Sequence, residues 1–157
     1  LKLPIKIDDT KVQVVMNGSY VSLFVKDKND IDTVYKQLKA VQNDKFTVYK
    51  TTEVPAKYHF NANDDRYGRI GEIILMAHAP NYFSNNKAPK GSHGFFVKET
   101  PEMQATFMAW GPNFANGKII RAFENVQVYP MLAKLLGLPI SENIDGTDKL
   151  ANKILKK

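Results

Sequence analysis

Cysteine is absent, which excludes disulfides and thiolate metal sites from this chain. The compartment stays open, because exported chains also do without cysteine. No apolar run approaches the ~20 residues that a membrane span needs, and no signal peptide is visible. There is no internal repeat and no low-complexity tract. Nor is there a basic run interleaved with aromatics, which argues against a nucleic-acid module. The chain opens on Leu1 rather than methionine, which predicts a processed product or a cut piece.

What is present is ordinary globular material. The 157 residues are 43% hydrophobic and 24% charged, one domain's worth of chain with enough apolar content for a core. The net charge of +6 could attract anions. Yet Lys26, Lys28, Lys36, Lys39 and Lys45 are scattered, and Lys156-Lys157 reads as a frayed end, so a solvated lysine-rich surface is the plainer expectation.

The first fifty-odd residues read as a strand, strand, helix, strand unit. Val12, Val14 and Val15 lead to Asn17-Gly18 and then Tyr20–Val25, a hairpin pattern. Asn29-Asp30 offers a cap before Ile31, Val34, Tyr35, Leu38 and Val41, one apolar helix stripe. Phe46–Tyr49 follows as a strand. A small sheet carrying one helix is expected, with nothing catalytic in it.

Beyond it, Asn61, Asn63, Asp64 and Asp65 crowd a polar turn, but their spacing does not match the twelve-residue calcium loop. Ile73–Ala79 is continuously apolar, which predicts a strand buried on both faces, with His78 in the core or at its rim. Met103–Trp110 reads as a second long buried strand. A helix is expected from about Gln127 or Val128, since Pro130 is tolerated only near a start, and Gly137 stops it. Asp145-Gly146-Thr147 can cap a last helix through Leu150, Ile154 and Leu155.

The chemistry centres on Gly91-Ser92-His93-Gly94. Glycines let the backbone take shapes that other residues cannot and let neighbours approach closely. A histidine at such a turn can direct a ring nitrogen at a metal or a phosphate. Spacing alone supplies no partner ligands for it.

From Val54 onward the order of segments resembles the C-terminal part of the type I phosphodiesterase and nucleotide pyrophosphatase family, in the alkaline phosphatase superfamily. The resemblance runs through Val54-Pro55-Ala56-Lys57-Tyr58-His59-Phe60, Arg69-Ile70-Gly71-Glu72-Ile73 and Gly91-Ser92-His93-Gly94-Phe95. It continues through Met103–Phe107, Gly111-Pro112-Asn113-Phe114 and Phe123–Pro130, to Leu135-Leu136-Gly137 and Asn143-Ile144-Asp145-Gly146. Residues before Val54 resemble the preceding family segment more loosely.

The resemblance implies an α/β fold (α+β in isolation), the C-terminal part of an alkaline-phosphatase-like sandwich. Residues 1–53 would form a small cap-like subdomain and residues 54–157 part of the catalytic domain. It also implies a two-zinc hydrolase of phosphodiester or pyrophosphate bonds, in which a threonine or serine nucleophile attacks phosphorus and the metals steady the attacking and leaving oxygens. The family's final zinc ligand carries over onto His93, and no other site residue does. Where the family often has an aspartate soon after the turn's aromatic, Phe95-Phe96-Val97-Lys98 offers none to orient the histidine. Nucleophile and remaining ligands would lie upstream. The 157-residue chain alone is therefore expected to be inactive and to bind no zinc, because one imidazole cannot hold a catalytic ion.

Nucleotides or other phosphodiesters are the implied substrates of the longer enzyme, and an exported or surface-bound location is implied by the family. A piece of such a sandwich would expose sheet edges and could oligomerise. The competing expectation is a non-catalytic domain that binds an anionic ligand on its basic surface.

Overall fold

The computed structural model describes residues 1–87 and 89–156. Lys157, half of the expected frayed end, lies outside them, as does Ala88 in the loop before Gly91. By contacts the chain divides into two compact units, Leu1–Gln104 and Ala105–Lys157.

The first unit is built on four antiparallel strands: β1 (Val12–Met16), β2 (Tyr20–Val25), β3 (Phe46–Lys50) and β4 (Ile73–Ala77), in the order β1-β2-β4-β3. The expected hairpin joins β1 to β2, with Met16 opposite Val21 and the Asn17 N–H donating to the Tyr20 carbonyl at 2.9 Å. Helix α1 (Ile31–Ala40) lies between β2 and β3 in sequence. Its cap differs from expectation. Asp30 makes no side-chain capping bond; Asp27 instead accepts from the Asn29 N–H and starts a short 3-10 turn that feeds the helix. Two carboxylates stand within one turn of each other, and the one with a free N–H in reach takes the cap.

One face of this sheet packs on α1. Val21, Leu23, Val48, Ile73 and Leu75 are fully buried there together with Leu38 of the helix and Phe83. On the opposite face Ile74 is buried with Val54 and Ile70, ringed by Tyr20, Tyr49, Tyr58, Phe60 and Met76. This explains the unbroken apolar run of β4. Its residues alternate between two covered faces, so both sets must be apolar. Burial on both faces is as expected, here in an antiparallel sheet.

Strand β4 sits between β2 and β3, pairing Val21 with Leu75 and Val48 with Leu75. A strand contributed from residues 73–77 fills the centre of the sheet begun at residue 12, so the compact unit runs to Gln104.

The second unit holds α2 (Val128–Leu136) and α3 (Lys149–Ile154). Pro130 is the third residue of α2, where no intrahelical N–H bond is forfeited. Beyond the helix the Leu138 N–H reaches back to the Ala133 carbonyl at 2.8 Å, a Schellman-type stop at Gly137. Met131 packs with Leu150, Ala151 and Ile154, and Phe107, Phe114, Ile120 and Phe123 lean on that cluster. The Thr147 hydroxyl accepts from the Lys149 N–H and donates to Gln127 Oε1 at 2.9 Å, tying the start of α3 to the residue before α2.

The long buried strand expected at Met103–Trp110 is not formed. A 3-10 turn covers Pro101–Met103, and the run that follows is irregular, with no strand partner among the described residues. Met108 is 75% exposed and Trp110 82%. Apolar content marks a segment as buried in some environment, but a strand also needs a neighbour to take its N–H and C=O groups.

Candidate functional site

Strand register sets the floor of the site. Tyr20 lies opposite Met76, and Met76 opposite Thr47, so these three form one row across β2, β4 and β3 on the face away from α1. Two turns close over that row. Residues 54–60 bring Tyr58 and Phe60; the segment after Gly91 brings Gly94, Phe95, Phe96, Glu99 and Thr100. The result is a pocket of about 400 Å³, a volume suited to a small molecule.

Aromatic rings form its walls. Tyr20 and Phe60 meet edge to face at 5.3 Å between centroids, and Tyr58 and Phe96 do so at 4.7 Å. Beside the second pair, the Lys57 ammonium lies 4.8 Å from the Tyr58 centroid and 2.5 Å from Glu99 Oε1. The Tyr58 hydroxyl donates to the same carboxylate oxygen at 3.0 Å. The hydrogen bond from Lys57 holds the Glu99 carboxyl below its usual range and lifts the ammonium above its own. Burial, then the bond to Glu99, pushes the Tyr58 phenol upward. These directions agree: the charged acid, charged amine and neutral phenol are favoured together.

His78 stands at the rim, exposed, one residue past β4. Its Nδ1 is 2.8 Å from the Asp44 carbonyl, which can only accept, so Nδ1 carries the proton in the neutral ring. Nε2 then accepts from Thr47 Oγ1 at 2.8 Å. Both ring nitrogens are engaged within the chain, so this histidine is a structural rim residue.

His93 is exposed and lies in the turn beside the pocket. The turn contributes Gly94 and Phe95 to the lining; His93 is not among the lining residues. Gly94 adopts φ +91° against Ser19 of the β1–β2 hairpin. The turn is thus seated on the sheet through its glycine, leaving the histidine facing outward. Among the described residues no group of three or more His, Asp or Glu side chains could hold a metal ion, so His93 belongs to no such group.

The oxygen-rich turn from Asn61 is spoken for by its own backbone. Asn61 Oδ1 accepts from the Asn63 N–H at 2.7 Å, and Asp65 Oδ2 from the Ile70 N–H at 2.7 Å. It is a hydrogen-bonded turn.

Sequence reasoning singled out His93 and passed over the aromatic pocket. A signal existed: Tyr20 and Ser22 in β2, with Thr47 and Tyr49 in β3, carry polar and aromatic groups on the alternate face. Only the pairing of both strands with β4 puts them side by side.

Comparison with known proteins adds four findings. The profile of the type I phosphodiesterase / nucleotide pyrophosphatase family matches residues 4–96. A venom phosphodiesterase of Crotalus durissus collilineatus is 33% identical over 114 residues, covering 71% of this chain and 13% of its own length. Ectonucleotide pyrophosphatase/phosphodiesterase family member 3 of Rattus norvegicus is 32% identical over 115 residues, with 71% of this chain and 12% of its own covered. Among solved structures, murine ectonucleotide pyrophosphatase/phosphodiesterase 5, as an inactive form in complex with AMP, superposes with a TM-score of 0.77 at 25% identity. That match takes in 98% of this chain and 40% of the murine one, so the chain spans a minor part of each of these relatives.

Proposed function

This chain belongs to the type I phosphodiesterase / nucleotide pyrophosphatase family, and from that membership we propose that it is part of an enzyme hydrolysing phosphodiester or pyrophosphate bonds, to which it contributes His93 as one zinc ligand. The observation that carries the proposal is the family match over residues 4–96, a span that takes in the glycine-flanked histidine. Relatives named as phosphodiesterases and nucleotide pyrophosphatases support the reaction class.

The local arrangement favours a ligand role for His93 over a packing role. The ring is exposed, whereas the glycine after it anchors the turn on Ser19. A zinc bound there would supply Lewis-acid stabilisation at phosphorus-bound oxygen. The described residues do not make up a complete site, because a catalytic zinc takes about three protein ligands and no group of three or more candidate ligands is found among them. No step is therefore assigned within this chain, and the 157 residues alone are inactive in this reading. Nucleophile and remaining ligands belong to the part of the enzyme outside the chain, which has two zinc ions. The substrate is a nucleotide or another phosphodiester. Relatives named for ecto-enzymes and venoms support an exported or surface-bound location.

The test is turnover of p-nitrophenyl thymidine monophosphate by the longer polypeptide carrying these residues, with and without His93→Ala. The variant loses at least about a hundredfold in kcat/KM and binds less zinc, the scale on which disturbed metal sites lose function. Unchanged turnover and zinc content would overturn the assignment. An unaltered 157-residue chain that binds nucleotide tightly and catalyses nothing in any longer form would favour the anion-binding domain instead.

A further inference from the structure

We infer that Glu99 is a positioning residue: its carboxylate clasps Lys57 and Tyr58 and so fixes where the turn carrying His93 sits. The inference rests on the reading of His93 as a ligand and names what holds that ligand in place. Residues 89–92, just before the histidine, are exposed and make no hydrogen bond to another segment among the described residues. After the histidine the chain is anchored repeatedly. Gly94 rests on Ser19, Phe95 packs against the core of the first unit, and Phe96 meets the Tyr58 ring edge to face at 4.7 Å. The Phe96 carbonyl accepts from the N–H groups of Glu99 and Thr100 at 3.0 and 2.9 Å, which folds the segment back on itself. That fold brings Glu99, the first acidic residue after His93, to within 2.5 Å of Lys57 Nζ and 3.0 Å of the Tyr58 hydroxyl.

Both partners belong to the 3-10 turn Ala56–Tyr58, and Tyr58 packs on the buried cluster of Val54, Ile70 and Ile74. One carboxylate oxygen takes both donors, so the segment after His93 is tied to the sheet by a second route, separate from the seat of Gly94 on Ser19. Lys57 and Glu99 are both exposed, and an exposed ion pair adds little to stability because water screens it. What the clasp supplies is position. Displacing a group at a reacting centre by about 1 Å costs about a hundredfold in rate, far more than the pair contributes to folding.

Two measurements test this. In the 157-residue chain, Glu99→Gln and Lys57→Met should each displace the backbone NMR signals of the His93 and Gly94 amides. Asp30→Asn, which breaks the exposed Lys11–Asp30 pair instead, should leave those signals in place. In the longer polypeptide, Glu99→Gln should lower both zinc affinity and kcat/KM for p-nitrophenyl thymidine monophosphate by about tenfold or more, the scale for lost support of a ligand. Its urea midpoint should fall only slightly. Lys57→Met should act alike, and the double variant should lose no more than either single one, because both changes break the same device. Lys57→Arg, which keeps a donor, should retain activity. Unmoved amide signals in Glu99→Gln overturn the inference, as do unchanged zinc affinity and turnover, or single losses that multiply in the double variant. If His93→Ala leaves turnover and zinc content intact, the ligand reading fails and the positioning role falls with it. If His93→Ala loses both while Glu99→Gln loses neither, the inference about Glu99 fails alone.

Discussion

A Cβ placed on Gly94 would stand 2.7 Å from the Ser19 hydroxyl oxygen. Real side chains do not approach so closely, so the turn that carries His93 can rest on the β1–β2 hairpin only because its next residue has no side chain. Ser19 is itself 5% exposed, and its carbonyl accepts from the Ala77 N–H at 2.8 Å, which locks the hairpin to the end of β4. The position of the candidate ligand is therefore set by the centre of the sheet.

Gly94→Ala should destabilise the chain by about 1–3 kcal/mol, from the left-handed backbone together with the contact to Ser19. Adding Ser19→Ala should recover part of that loss and not all of it, because φ +91° remains strained for any side chain. Urea denaturation of the single and double variants checks this. Full recovery in the double variant would show that only the contact matters.

Gly71→Ala is expected to be at least as harmful. Its Cβ would lie 2.6 Å from the Leu23 carbonyl oxygen, at φ +87°. Backbone in the central strand cannot swing aside as a serine hydroxyl can, so the cost is again about 1–3 kcal/mol or more. A chain with an unchanged melting temperature would contradict this.

Leu75→Ala removes a side chain that is fully buried at the middle of β4. The cavity between sheet and α1 should cost about 2–5 kcal/mol. By contrast His93→Ala, at an exposed turn, should change the stability of the 157-residue chain by no more than about 0.5 kcal/mol. Equilibrium unfolding of the two variants side by side tests the contrast between a packing residue and a candidate ligand.

Acid should weaken the Lys57–Glu99–Tyr58 cluster. The folded chain holds the Glu99 carboxyl below its usual value, chiefly through Lys57. Its stabilising contribution is complete above the ordinary glutamate range and is lost as pH falls through the lowered folded value. The urea midpoint of the wild type should thus exceed that of Glu99→Gln at neutral pH, and the gap should close on acidification. Because Lys57 and Glu99 are each about half exposed (51% and 47%), added salt should narrow the same gap at neutral pH. A gap independent of both pH and salt would mean that the carboxylate's charge is immaterial.

Several elements were legible from sequence for local reasons. Asn17-Gly18 between valine-rich runs specified the hairpin, the stripe from Ile31 to Leu38 specified α1, and Pro130 with Gly137 bracketed α2. The continuous run of Ile73–Ala77 announced a strand covered on both faces, and it is one. His93 stood out because two glycines near an imidazole are conspicuous in any sequence. Met103–Trp110 misled by the same logic, since its apolar residues signal burial without naming what buries them.

Periodicity and turn chemistry act over a few residues, so the sequence by itself determined which segments became strands, helices and turns. Which strands neighbour one another was decided only in three dimensions, because a sheet pairs residues far apart in the chain. That is why β4 lies between β2 and β3, and why Tyr58 meets Glu99 across 41 positions to build a pocket wall. The same reason leaves residues 105–110 outside any strand: a strand is completed by a partner's backbone, and no partner stands beside them among the described residues.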